Sequence, residues 1–181
     1  VRDCDLLARA ALGHGGTAVV IAAADPTAVR LLEEALAAAP ADDLATSARL
    51  LARLSVELYY SDPARARDLS ALAVERARRA DDAAALAAAL NAHRVALWFP
   101  HQADERLTVA GDMIAAAEAA GDREAVLHGR NWSVVDLLEL GRVRYARSRR
   151  TRGRVLSQSP RAGRTLAVGT KVNLVVSRGR R

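Results

Sequence analysis

The amino-acid sequence predicts a mainly α chain: an α-solenoid of helix pairs with a small C-terminal β-hairpin. Three observations predict it. Apolar residues recur at helical spacing through most of the first 141 residues. The pattern repeats with a period of about 37 to 40 residues, two helices to a unit, which is the mark of a helical array whose pairs bury their faces against one another. The third is an abrupt change of chemistry. Up to Gly141 the chain holds 14 Arg against 21 Asp and Glu, a net −7, whereas residues 142 to 181 hold 12 Arg, one Lys and no acid, a net +13. Two units follow: a helical-repeat part at 1-141 and a basic segment at 142-181.

The first residue is Val, and it opens within an amphipathic pattern, so residues 1 to 12 read as the tail of a preceding helix and the array is expected to be N-terminally truncated. "GHGGTAVV" then serves as a connection. Asp25-Pro26 and Asp62-Pro63 have the form of helix starts, because Asp accepts orphan amide hydrogens at an N-cap and Pro has none to satisfy at the first helical position. Polar breaks at "PADD", "ADD", "PHQAD" and "AGD" separate further segments, giving helices near 26 to 39, 44 to 60, 63 to 79, 82 to 98, 103 to 120 and 122 to 140. All but the first carry a stripe for the core: Leu44, Ala48, Leu51, Leu54 and Leu58; Ala66, Leu69, Ala73, Ala77 and Ala80; Leu86, Leu90, His93 and Leu97; Leu107, Ala110, Ile114 and Ala117; and Leu127, Asn131, Val134 and Leu138. A displacement of 40 residues lays Asp82 on Asp122, Asn91 on Asn131, Val95 on Val135 and Leu97 on Leu137.

In the basic segment Val172, Leu174 and Val176 alternate as a strand does, turn residues Ser159-Pro160 and Gly163 come before them, and Val155 and Leu156 belong to an opposite strand. A two-stranded unit is expected. Such a hairpin alone is marginal in water, so its apolar face needs cover.

Two family likenesses rest on these residues. "LLARLSVELYYSDPARARDLSALAVERARRADDAAALAAALNAHRVALW" and "ERLTVAGDMIAAAEAAGDREAVLHGRNWSVVDLLELG" resemble the tetratricopeptide-like helical region of actinobacterial LuxR-type and cyclase-linked ATPase regulators, over residues 1 to 141. That likeness implies TPR-like helix pairs acting as a sensor or protein-interaction arm. The nucleotide-binding motif G-x-x-x-x-G-K-[ST] does not occur, and "GTK" at 169 to 171 has its Lys in the wrong order. The second likeness runs from about Gly153 to Gly179. Gln158-Ser159-Pro160, Gly163, Gly169-Thr170-Lys171-Val172 and Val175-Val176-Ser177 resemble the second half of a PASTA repeat, with no strand or helix of its first half expected ahead of Arg142. It implies recognition of muropeptide or β-lactam material outside the membrane.

The residues offer little for catalysis. Cys4 and the serines have no G-x-S-x-G or other nucleophile signature, and His93, His101 and His128 have no i, i+4 or C-x-x-C partner for a metal. The chain is expected to be non-catalytic, with no cofactor and no metal. Asn91, Arg94, Trp98, Arg130, Asn131 and Trp132 lie on the second helices of neighbouring pairs and are the candidate ligand or partner surface, with interhelical packing the favoured account of the tryptophans. Arg147, Arg149, Arg150, Arg152 and Arg154 are candidate polyanion contacts. On a strand the last three share a face, and such a run attracts phosphate chains in a salt-sensitive way. It lacks the interleaved aromatics of a single-strand binder. The longest apolar run, Ala83 to Leu90, is too short to span a bilayer, and "VRDCDLLARAAL" has no signal-peptide succession, so a cytoplasmic location is expected, with the cell envelope as alternative. The leading functional expectation is a non-catalytic regulatory module that binds a protein partner. The alternatives are a PASTA-type cell-wall binder, if exported, and a nonspecific nucleic-acid binder acting through the Arg-rich segment.

Overall fold

Aspartate caps set the helix starts. In the computed structural model, which describes residues 2–13, 25–99, 101–140, 143–161 and 173–180, seven helices are followed by three short strands. The helices are α1 (Arg2–Gly13), α2 (Pro26–Ala38), α3 (Leu44–Leu58), α4 (Pro63–Ala80), α5 (Ala83–Ala96), α6 (Ala103–Ala120) and α7 (Arg123–Glu139). Asp25, Asp43, Asp62, Asp82 and Asp122 each accept a backbone N–H of the first turn, at 2.9, 3.0, 3.1, 2.8 and 2.9 Å. Every such bond satisfies a donor the helix itself leaves orphaned. Helices α4 and α6 end on left-handed residues, Asp81 (φ 52) and Gly121 (φ 70). At Gly121 the absent Cβ makes that conformation cheap. The helices predicted from 26 to 140 are therefore all present, with ends shifted by no more than two residues. The connection "GHGGTAVV" lies, after Gly13, outside the described residues.

Consecutive helices pack on one another, and α3 also reaches past α4 to α5. The core is built from alanine and leucine. Ala48, Leu51, Ala73, Ala77, Ala85, Leu90, Leu97, Met113 and Ala117 form its larger cluster, and Ala8, Ala11, Leu32, Leu50, Leu54, Leu58 and Ala66 a second one nearer α1. Small side chains at these positions let helix axes approach closely, and dense packing follows.

The last predicted stripe is corrected. Leu127, Val134 and Leu138 are 66%, 50% and 44% exposed and Asn131 is exposed as well, so this face of α7 points away from the core. Helix α7 turns inward the face bearing Gly129, Trp132 and Asp136. A Cβ on Gly129 would stand 2.7 Å from Ile114 Cγ1, so α6 and α7 meet there through the missing side chain. The physical reason for the rotation is Asp136, whose charge has its partners inside.

The C-terminal sheet has three strands rather than the expected two: β1 (Val143–Ala146), β2 (Val155–Ser159) and β3 (Asn173–Ser177), in the order β1-β3-β2. β2 and β3 are antiparallel, with Val155 opposite Val176 and Gln158 opposite Leu174, across a register shift between Val155 and Ser157. β1 lies parallel to β3, Val143 against Leu174 through Ala146 against Ser177. It supplies backbone partners to an edge of β3 that a hairpin would leave bare. The Arg run that follows β1 hides this four-residue strand from a periodicity reading. Val172 and Gly163, part of the expected strand and turn, lie outside the described residues, as do Gly169, Thr170 and Lys171.

Candidate functional site

Charged residues sit in the core where α5, α6 and α7 meet. Arg94 on α5, Arg106 on α6 and Asp136 on α7 are each 0% exposed. Arg94 donates from Nη2 and Nε to the two Asp136 oxygens at 2.6 and 3.2 Å, and Arg106 donates from Nε to Asp136 Oδ1 at 3.0 Å. Arg106 also donates from Nη1 to the carbonyls of Leu97 and Phe99, at 3.3 Å each, and from Nη2 to Glu139 Oε2. The two carbonyls lie just past the C-terminal end of α5, where positive charge is favourable. One carboxylate thus ties together three consecutive helices through residues 30 and 42 positions away along the chain.

Aromatic rings surround this cluster. The Arg94 guanidinium lies 4.0 Å from the Trp132 ring centroid and 4.9 Å from that of Trp98, and the Arg106 guanidinium lies 5.4 Å from Trp98. Trp98 and Trp132 meet edge to face at 5.4 Å, and His128 stacks on Trp132 at 5.2 Å. Trp132 Nε1 donates to Asn91 Oδ1 at 2.9 Å. The π faces offset part of the cost of taking guanidinium groups out of water. Arg94 Nη1, enclosed here, has no hydrogen-bond partner among the described residues. Burial pulls the Arg94 pKa below its ordinary value and the contact with Asp136 opposes that shift. An arginine in such a pair stays charged. With both Asp136 oxygens engaged by guanidinium donors from α5 and α6, the cluster holds the three helices together.

The rings continue to the surface along one edge of the helical part. Tyr59 donates to the Trp98 carbonyl at 3.4 Å and meets Tyr60 edge to face at 4.7 Å, while the Arg67 guanidinium lies 5.0 Å from the Phe99 ring. Tyr60, Trp98 and Phe99 are exposed, and they cluster where α3 and α5 end. Burial, then the neighbouring Tyr60, raises the Tyr59 pKa.

Of the six surface candidates, the fold brings Asn91, Arg94, Trp98 and Trp132 together and separates Arg130 and Asn131 from them. Arg94 is no surface residue: Asp136 draws it inside. Arg130 points outward, 3.5 Å from Glu118, and shares with Asp122, Arg123 and Leu127 a shallow cleft at the turn between α6 and α7. Asn131 is exposed although Asn91, its counterpart at 40 residues' displacement, is bonded inward. The displacement carries over the caps Asp82 and Asp122 but not these side chains. Arg106, Asp136 and Glu139 were missed. The available signal was spacing alone, which sets Trp132, Asp136 and Glu139 on one helical face.

The five polyanion candidates Arg147, Arg149, Arg150, Arg152 and Arg154 lie in the connection from β1 to β2, not on a strand, so the alternate-residue face expected for the last three is not formed. Strand pairing stops there because the connection bonds by its backbone to the end of β3. Ser177 donates from Oγ to the Arg150 carbonyl at 3.0 Å and from N to the Arg154 carbonyl at 2.8 Å, and Gly153 N donates to the Ser177 carbonyl at 2.8 Å. All five side chains are left exposed. Among the described residues no group of three or more His, Cys, Asp or Glu is placed to hold a metal, and no helix is long and apolar enough to cross a membrane.

The family model for the PASTA domain matches residues 132–178. That span opens inside α7, ahead of Gly153 where the sequence likeness begins, and takes in Trp132, Asp136 and Glu139 together with all three strands. No curated protein and no solved structure matches the chain.

Proposed function

We propose that this is a non-catalytic binding protein whose C-terminal part recognises peptidoglycan-related material, with the helical part serving as a protein-interaction arm. The observation that carries the reading is the PASTA match over residues 132–178, which covers a three-stranded sheet and the exposed connection from β1 to β2. Such a function places the segment on the envelope side of a membrane. For the helical part, sequential packing of capped helices and the reach of α3 past α4 to α5 support an α-solenoid of TPR-like pairs. The likeness to LuxR-type regulator arms, and the exposed Tyr60, Trp98 and Phe99, support a protein partner for it.

The exposed arginines of 147–154 give weak, salt-labile attraction to any polyanion as a by-product. Shaped contacts are screened less than long-range charge. The full chain is therefore expected to sediment with purified peptidoglycan at salt concentrations that release it from heparin and mixed-sequence DNA, and a chain ending at residue 142 is expected to stay in the supernatant. Loss of peptidoglycan and heparin binding at the same salt would reject recognition and leave charge alone.

A further inference from the structure

Helix α7 has two unlike faces. Gly129, Trp132 and Asp136 close against α5 and α6, while Leu127, Val134 and Leu138 stand exposed on the opposite side. The strands pack among themselves and leave these three side chains bare. Together with the exposed Asn131 they are spaced by four, three and four residues, the alternation of a two-helix seam, and the half-buried Val135 and Leu137 widen it on either side. A helical array is finished by a helix with a polar outer face. The outer face of α7 is apolar, so a further helix is needed to cover it.

We infer that this stripe is the seat of a second copy of the chain, and that the two α7 helices lie antiparallel about a two-fold axis. The seam is self-complementary, since an axis passing between Asn131 and Val134 sets Leu127 of each copy against Leu138 of the other. Each Leu138 then arrives beside the shallow cleft at the turn between α6 and α7, where Ala117, Val126 and Leu127 offer it an apolar lining. The single polar position finds its match in the same arrangement. The two Asn131 side chains, about 4.5 Å apart along the pair at the helical rise, exchange amide hydrogen bonds across the axis. An all-apolar helix from another protein would bury that amide unpaired. Charge fixes the direction. A parallel pair would set two basic segments of +13 side by side, whereas the antiparallel pair lays each of them against the other copy's helical part, which carries −7. The stripe is short, so the interface belongs to the small, reversible class. Its consequence is valence: the two PASTA-matched segments leave opposite ends of a helix pair about 25 Å long, and, on the peptidoglycan reading above, one particle meets the polymer twice.

The test is sedimentation velocity on the full chain with no polymer present, so that its outcome is independent of the peptidoglycan reading. The parent is expected to pass reversibly from monomer to dimer over the micromolar range. Val134→Asp/Leu138→Asp should remain monomeric over that range with the far-ultraviolet helical signal of the parent, and Leu6→Asp, an exposed change on α1, should dimerise as the parent does. A parent that stays monomeric, a double variant that still dimerises, or growth beyond the dimer would each overturn the proposal. A second measurement reads the direction. In a Cys4→Ser background, a Leu127→Cys chain and a Leu138→Cys chain are oxidised separately and as a mixture. Antiparallel helices bring the two kinds of cysteine together and hold like cysteines about 16 Å apart along the pair, beyond the reach of a disulfide. Linked dimers are therefore expected in the mixture alone; linked dimers in each separate sample, or none in the mixture, would reject the antiparallel pair.

Discussion

Asp136 is the counter-ion of two arginines that have no access to water, so its removal is far more costly than loss of a surface charge. Asp136→Asn leaves Arg94 and Arg106 short of a negative partner in a low-dielectric site and is expected to cost about 3 to 5 kcal/mol, read as a lowered urea midpoint of the full chain. Asn131→Ala, on the exposed face of the same helix, should stay within about 0.5 kcal/mol. His93 supplies a pH dependence. Its Nδ1 lies 3.0 Å from Ser70 Oγ, which donates to the Arg67 carbonyl at 2.7 Å. That leaves the histidine nitrogen as donor in the neutral ring. Burial lowers the pKa of His93 below its ordinary 6.5; Arg67 and Arg78 act in the same direction and Glu105 opposes them. The unfolded chain then binds the proton more readily. The stabilisation is complete above 6.5, falls as pH drops from there through the folded pKa, and is gone below it. Urea midpoints at about pH 7.5 and 5.5 should differ, and His93→Gln should shrink the difference.

At the scale of the elements, the contact between α6 and α7 depends on a missing side chain. Gly129→Ala brings a methyl to 2.7 Å from Ile114 Cγ1. Its helix-propensity gain of about 1 kcal/mol is outweighed if Ile114 cannot move, and thermal unfolding is expected to show a net loss of about 1 kcal/mol. Paired with Ile114→Val, the same substitution should cost less. Helix starts were legible in the sequence because capping is a local event: Asp82 needs only the amide of Ala85, three residues on. The inward face of α7 was not. Its orientation is set by Arg94 and Arg106, which stand 42 and 30 residues away along the chain, so the hydrophobic pattern of α7 read alone pointed Leu127, Val134 and Leu138 the wrong way. Likewise Arg94 read as a surface cation because its partner lies on another helix. β1 escaped notice because four residues are too few to show a period, and its pairing is with a strand at the far end of the segment.

The molecule as a whole joins an alanine-rich helical part, in which the buried Arg94, Arg106 and Asp136 are paired, to a basic sheet whose β1–β2 connection is exposed. Brief trypsin treatment should cut first between Arg147 and Arg154, where the side chains are exposed, and much later at Arg94 and Arg106, which require α5 to α7 to open. Fragment masses over a time course give the order, and equal rates at both regions would contradict a well-packed helical part. The chain also carries an optical reporter of that opening. Trp98 and Trp132 are the only two tryptophans, and both stand at the junction of α5 and α7, 5.4 Å apart edge to face. Two indoles so close couple their transitions, and His128 lies against one of them. The tryptophan bands of the near-ultraviolet circular dichroism and the tryptophan emission of the unlabelled protein therefore report on this one junction, and separation of α7 from α5 should weaken the first and shift the second to longer wavelength while the far-ultraviolet helical signal persists.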